Sequence, residues 1–291
     1  WCDDIRDASS VPGDLLLETM SPNSVAGVDL VWMRLPRALG ALGQYAELIA
    51  AQASAEVRLV AGGREKHLNR TMNKTLAHHF SSVAASLGQQ KSRALMASGP
   101  IPGKRISWPR HKKVSLGGQQ IDLWWHGATF AAGRVDDGTR LLADHFAQVA
   151  DADHYLDLGC GSGLLATLLA RAHPDSTVDA VDTSWAAVDA TKRTATGTVV
   201  KTHWAADLRG FEDQSIDVIV CNPPFHRGAA KESAPTQSMF AEAARVLGPG
   251  GEFWCVFNSH LPWKARLSEL IGPTYLIAQD RNYTLTRSLR A

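Results

Sequence analysis

The sequence predicts an α/β protein in two related parts, and three observations carry that reading. From Tyr155 onward, short apolar runs alternate with segments of helical spacing, the pattern of a parallel sheet covered on both faces. A glycine-rich turn, Asp157 to Gly163 (DLGCGSG), directly follows the first of those runs. The amino-terminal part also repeats part of what comes later: Asp29 to Pro36 (DLVWMRLP) aligns with Asp217 to Pro224 (DVIVCNPP). Glu56 to Gly63 (EVRLVAGG) aligns in the same order with Glu252 to Ser259 (EFWCVFNS). Order and spacing together favour a duplicated α/β domain over chance.

Taken in order, Val28 to Met33 reads as a buried strand, Leu39 to Ala53 as a helix, EVRLVAGG as a second strand, and Leu68 to Phe80 as a basic amphipathic helix. Residues 99–119, rich in proline, glycine and bases, read as a linker. That divides the chain into residues 1–98, the linker, and residues 120–291. The second domain opens with a short strand over Gln120 to Trp125 and a helix from about Asp137. Strands then follow at Tyr155 to Leu158, Thr177 to Val181, Val199 to Trp204, DVIVCN and GEFWCVF. Between them lie helices at Leu164 to His173, Ser184 to Thr196 with Ser184 as cap, Ser238 to Leu247 and Leu261 to Ile271. The end, TYLIAQDRNYTLTRS, reads as two strands joined by Asp280-Arg281-Asn282. The expected second domain is therefore a seven-stranded, Rossmann-like sheet finished by an antiparallel hairpin. The first is a degenerate, shortened copy lacking early strands, which suggests that an amino-terminal part is missing.

Net charge, +1, conceals an asymmetry. From Arg58 to Lys113 there are twelve Lys or Arg against one acid, Glu65; after Lys113 there are fifteen against twenty acids. Such a contrast points to a polyanion facing the first part. Lys66, Arg70, Lys74, Lys91 and Arg93 are the candidate contacts there, the first three at helical i, i+4 spacing. Lys104, Arg105, Arg110, Lys112 and Lys113 continue them through the linker, where Trp108 could stack on a base. Cys2, Cys160, Cys221 and Cys255 show no CxxC pair and read as free thiols of a cytoplasmic protein. No His or Cys grouping has metal-ligand spacing, so no metal is expected. No apolar run is long enough to span a membrane. A monomer is expected.

The glycine turn has the context a cofactor loop requires, a strand before it and a helix after it. Gly159, Gly161 and Gly163 let a ligand approach the backbone around Asp157 and Cys160 closely. The spacing departs from the GxGxxG dinucleotide pattern, and no phosphate-binding lysine follows. Asp182, with Thr183 next to it, closes the second strand nineteen residues after Gly163, where an acid accepts hydrogen bonds from ribose hydroxyls. Asp207 could accept from an adenine amino group and the Leu208 N–H donate to the ring. A ligand with adenosine and no required phosphate is implied, and S-adenosylmethionine fits.

The strand DVIVCN ends in Asn222-Pro223-Pro224-Phe225. Asn222 stands where open α/β sheets place their ligands. Because the prolines lack amide hydrogens, the Asn222 and Pro223 carbonyls are not all consumed locally. An amide side chain beside a free carbonyl receives an NH2 group, and Phe225 could stack on a planar base. Where this copy has Asn222 the first has Arg34, so the first copy reads as a binding module.

On DLGCGSG and NPPF the chain resembles class I S-adenosylmethionine-dependent methyltransferases that act on planar exocyclic amines. With GATFAAGRVDDGTRLL, NPPFH, FNSHLPWKARLSELIG and the basic first copy, it is similar more narrowly to the ribosomal RNA guanine-N2 methyltransferases. Of these, the large-subunit enzyme G is the closer likeness, on NPPFH, NSHL and VAGGREKHLNRTMNK, and the small-subunit enzyme C the other. The resemblance implies methylation of a guanine in ribosomal RNA or a ribosomal subunit, with Asn222, Pro223, Pro224 and Phe225 catalytic and Asn222 also beside the cofactor. Other amines (adenine N6, cytosine N4, protein glutamine) and a non-catalytic RNA-binding assembly role stay open at this point.

Overall fold

A computed structural model describes residues 1–291 apart from Lys104 and residues 224–232. After a one-turn helix, α1 (Ile5–Ala8), the chain forms two compact units. One holds residues 1–2, 11–110 and 126–128; the other holds residues 3–10, 111–125 and 129–291.

The first unit is a sheet of β1 (Leu30–Arg34), β2 (Arg58–Arg64), β3 (Phe80–Ala85) and β4 (Ser92–Pro100), ordered β1-β2-β4-β3. β1 and β2 are parallel, and β4 runs antiparallel to both β2 and β3. Helices α2 (Leu39–Gln52) and α3 (Arg70–Ala77) connect the strands. The core lies on one side of the sheet, where Leu42, Ile49, Leu59, Met72, Leu76, Phe80 and Leu95 are buried together. β1 is therefore not the two-sided buried strand its composition suggested. Its residues alternate, with Val31 and Met33 packed against the core and Leu30 and Trp32 exposed, Trp32 at 77%.

The segment 99–119 is not an open connection. Gly99 and Pro100 finish β4, and β5 (Arg110–Leu116) folds back on β6 (Gln119–Trp125) through Gly117 and Gly118. Both glycines have positive φ, +56° and +72°, as a tight hairpin turn requires. The basic stretch hides its strand character because most of its residues face water.

The second unit carries α4 (Asp137–Ala143), β7 (His154–Leu158), α5 (Leu164–Ala172), β8 (Thr177–Asp182), α6 (Trp185–Thr194), β9 (Val200–Trp204) and β10 (Ile216–Cys221). It continues with α7 (Ser233–Val246), β11 (Leu247–Asn258), α8 (Trp263–Leu270), β12 (Thr274–Gln279) and β13 (Tyr283–Leu289). The seven strands are ordered β12-β13-β11-β10-β7-β8-β9, parallel from β11 to β9 and closed by the expected antiparallel hairpin. Two clusters fill its faces, one around Tyr155, Leu168, Val220 and Trp254, the other around Leu156, Ile219, Phe240 and Phe253. Alternate residues of the same strands enter opposite clusters, which is why these strands read as continuous apolar runs. Across β7, β8 and β9, Asp179 accepts hydrogen bonds from His154 Nε2 and His203 Nε2, both at 2.5 Å. Burial pushes its carboxyl up, but those two bonds outweigh burial and hold it well below the usual carboxylate range. Cys160, Cys221 and Cys255 are buried, and Cys221 lies beside Cys255 across β10 and β11.

The repeat is visible as topology. The run β1-α2-β2-α3-β3-β4 reproduces β10-α7-β11-α8-β12-β13 in strand order and direction, with helices of 14 and 8 residues in both. The register differs from the sequence alignment by two residues. Leu30 pairs with Arg58, which predicts Val218 opposite Trp254, whereas Val218 pairs with Glu252. A shift of two keeps every side chain on its own face, so the core pattern survives it.

Candidate functional site

In the second unit the order of connection reverses beside β7: β8 lies on one side and β10 on the other. The carboxyl ends of β7 and β10 therefore meet at a switch point, where doubly wound sheets leave a crevice. The turn after β7 is the DLGCGSG segment. Its Gly159 and Cys160 N–H groups donate to the Val181 carbonyl at 2.9 and 3.1 Å, tying the turn to the end of β8. Gly159, Gly161 and Gly163 have φ of +79°, +57° and +74°. Open space lies beside Gly159 and Gly161, whereas a Cβ on Gly163 would stand 2.8 Å from Thr191 Cα. The first two glycines leave room for a ligand; the third is needed for α5 to pack on α6.

Two carboxylates frame this turn. Asp157 is buried, and its Oδ2 accepts from the Ala166 N–H of α5 at 3.0 Å. Burial raises its pKa to about 7; the Ala166 bond opposes the rise and the nearby Asp182 adds to it. Asp182 accepts from Gly161 N–H at 3.0 Å and from Ser184 N–H at 2.9 Å. Burial raises its pKa too, against those bonds. Cys160 is held by Thr191 Oγ1 at 3.3 Å, and burial pushes its thiol pKa well up. The Thr183 carbonyl accepts from Ile5 N–H and Trp204 Nε1, each at 2.9 Å. Beyond β9, Asp207 is bound by Arg209 at 2.8 Å, which lowers its pKa. Leu208 is buried, and its carbonyl accepts from Arg245 at 2.7 Å. Of the predicted cofactor residues, Asp182, Thr183, Asp207 and Leu208 do not line the cleft at the switch point, although Asp182 is bonded to Gly161, which does.

That cleft encloses about 390 Å³, part of it open to solvent, and unites Asp157, Gly159, Cys160 and Gly161 with Asn222. Asn222 Nδ2 donates to Asp136 Oδ2 and to Thr139 Oγ1, both at 3.0 Å. With both amide hydrogens engaged, Oδ1 is the end left to act as acceptor. Asp136 is itself fixed as the cap of α4, accepting from the Gly138 and Thr139 N–H groups. Pro223 is buried beside it. Pro224 and Phe225 lie outside the described residues.

Sequence reasoning passed over Asp136, Thr139, Phe130 and Arg134, which also line the cleft. Phe130 is 58% exposed there, an aromatic face open to a ligand. The sequence predicts a helix from about Asp137, but the pairing of Asp136 and Thr139 with Asn222 spans 83 to 86 residues and leaves no local signature.

The expected cationic contacts are exposed: Lys66, Arg70, Lys74, Lys91 and Arg93 in the first unit, Arg105 and Arg110 nearer its end, and Lys112 and Lys113 on β5. Lys66 does not share the face of α3, because it sits in a 3-10 turn, Glu65–His67, and α3 starts at Arg70 with Asn69 as its cap. Arg110 lies over the Trp108 ring at 4.1 Å. Lys104 is outside the described residues. No group of three or more His, Cys, Asp or Glu among the described residues could hold a metal ion, and no described helix is long and apolar enough to cross a membrane.

A parallel sheet with a glycine turn at its switch point, and an acid at the end of the next strand, defines a Rossmann-like, doubly wound fold. The chain belongs to the methyltransferase small domain family, whose model matches residues 120–287. The RLMG N-terminal domain model matches residues 11–100. The chain is 30% identical to "Ribosomal RNA large subunit methyltransferase G" of Streptomyces avermitilis, over 96% of this chain and 76% of that protein. It is also 30% identical to the protein of that name in Pseudomonas aeruginosa, over 95% of this chain and 75% of that one. A T. thermophilus 16S rRNA N2 methyltransferase (RsmC), solved with AdoMet and guanosine, has the same fold. The TM-score is 0.78 at 22% identity, over 93% of this chain and 76% of that one.

Proposed function

We propose that this chain transfers a methyl group from S-adenosylmethionine to the exocyclic N2 amine of a guanine in ribosomal RNA of the large subunit, acting as a cytoplasmic monomer. The observation that carries the reading is the Asn222 amide. It is anchored by Asp136 and Thr139 in the wall of the cleft that the glycine turn also lines. The names of the relatives supply the ribosomal RNA and the large subunit.

The residues present suit the cofactor: open space beside Gly159 and Gly161 admits it, and Asp182 offers a carboxylate to ribose hydroxyls. When bound, S-adenosylmethionine supplies an electrophilic methyl on sulfur. The guanine N2 lone pair is delocalised into the ring, so the amine is a poor nucleophile until its hydrogens are held and the lone pair is turned outward. Asn222 Oδ1 and the Pro223 carbonyl accept those two hydrogens. Orientation of this kind is worth roughly 7–11 kcal/mol of barrier. No base is required before transfer, because the methylated nitrogen is cationic and acidic, and its proton passes to solvent water afterwards. A base inside a duplex cannot reach the site, so the guanine is swung out of its helix; Phe130, and Phe225 as read from sequence, offer aromatic faces to stack on it.

The test is methyl transfer from labelled S-adenosylmethionine to unmodified ribosomal RNA and to ribosomal subunits, with nucleoside analysis of the product. N2-methylguanosine in large-subunit RNA is the expected product. Label in another nucleoside, or in protein, would replace the substrate, and cofactor binding without transfer would favour the assembly role.

A further inference from the structure

The first unit has a cleft of its own, separate in sequence and residues from the methyl-transfer site. It lies at the carboxyl end of β2, between the start of α3, the end of β3 and the start of β4, and encloses about 750 Å³ counting space open to solvent. In sheets of this kind that end is where ligands are held.

The chemistry of the walls is specific. Arg70 and Arg93 supply two guanidiniums, and Glu65, the lone acid of the basic stretch, stands 3.4 Å from Arg93. Leu68 and Leu95 give an apolar floor. Asn73, one turn into α3, lines the same cleft, and its buried Oδ1 has no hydrogen-bond partner among the described residues. A polar atom held unpaired in a fold is unusual and calls for a cause. A turn of the amide about its last side-chain bond would be needed to offer that oxygen to a donor in the cleft, and such a donor would supply the missing bond. Two guanidiniums for a phosphate, an amide and a carboxylate for a base edge, and an apolar floor for the base face describe a single unpaired nucleotide.

We infer that this cleft is an accessory subsite holding one unpaired nucleotide of the RNA substrate, with Arg70 and Arg93 on its phosphate and Asn73 on its base. The subsite rests on the reading that RNA is the substrate. It gives the degenerate copy a task beyond diffuse attraction: it sets which stretch of RNA is presented.

The experiment measures steady-state methylation of unmodified ribosomal RNA by the full chain and by Asn73→Ala, Ala85→Trp and Lys91→Ala variants, with cofactor affinity measured separately by titration. Asn73→Ala removes a neutral base contact, so KM for RNA should rise about tenfold, with kcat, cofactor affinity and salt dependence unchanged. Ala85→Trp adds bulk to the cleft wall from β3 and should do the same. Lys91, outside the cleft walls, should instead lower the slope of log affinity against log salt by about 0.7–0.9 when removed. RNA kinetics equal to the parent chain in both cleft variants would overturn the subsite and leave the methyltransferase reading intact. Parallel loss of cofactor affinity or of folded signal by circular dichroism in both would also overturn it, because the residues would then be structural. A parent chain that methylates no RNA and binds none would remove the proposed function and the subsite together.

Discussion

In the proposed reaction Asn222 acts through orientation, and the neighbours that hold it, Asp136 and Thr139, can be varied one at a time. Asn222→Ala should abolish turnover while cofactor affinity, read by calorimetry, changes little; equal loss of both would make the residue structural. Thr139→Val keeps the shape and deletes one of the two bonds to Nδ2. A fall in kcat of about tenfold is expected from the loss of one such bond, with KM for cofactor unchanged. Asp157 offers a pH test. Its folded pKa, about 7, lies above the unfolded value near 4. The protonated form is therefore favoured by folding, and its stabilising contribution is full below about pH 4 and lost as pH rises through 7. In Asp157→Asn the urea midpoint should change less between pH 5 and pH 8 than in the parent chain. Some slope should persist, because the pKa of Asp182 is raised as well.

Glycine and carboxylate placement also decides how whole elements fit. At Gly163 a methyl group would meet the backbone of α6 and would occupy a left-handed φ. Gly163→Ala should cost roughly 2–4 kcal/mol in chemical denaturation, with loss of the cofactor turn. Asp179 joins three strands through two histidines. With its pKa depressed, its contribution is present above about pH 4 and lost as pH falls through the folded value. Asp179→Asn should lower stability at pH 7 by about 1–3 kcal/mol, and by progressively less as pH falls below about 4. The strands β7, β8, β10 and β11 were legible because both faces of each are largely buried and most of their residues are apolar. By contrast β3, β4 and β5 were not, since FSSVAA, SRALMASGP and RHKKVSL keep only one face in a core or none, and their pairing depends on partners elsewhere in the chain. At the site the division is similar. DLGCGSG and Asn222 announce themselves by local chemistry, while Asp136 and Thr139 acquire meaning only when the sheet brings α4 to the end of β10.

At the scale of the molecule, charge and catalysis are separated along the chain, and salt should expose the separation. Reversal of charge at Lys66, Arg70 and Lys74 together should weaken RNA binding and flatten its salt dependence by about 0.7–0.9 for each phosphate no longer neutralised. S-adenosylmethionine affinity should stay where it was. Unchanged RNA affinity in that triple variant would place the RNA-binding surface elsewhere. The cysteines give a different handle on the same two parts. Three thiols, Cys160, Cys221 and Cys255, are buried in the second unit, Cys160 against the cleft, and burial keeps Cys160 and Cys221 far from their reactive thiolate form. Cys2, in the first unit, is partly exposed. An alkylating reagent should thus consume one equivalent quickly and the other three only as the second unit opens, so that the slow phase is a clock for its unfolding. A cofactor that binds the cleft of the folded unit should slow that clock in proportion to its occupancy, which makes thiol alkylation an assay of ligand binding that needs no RNA.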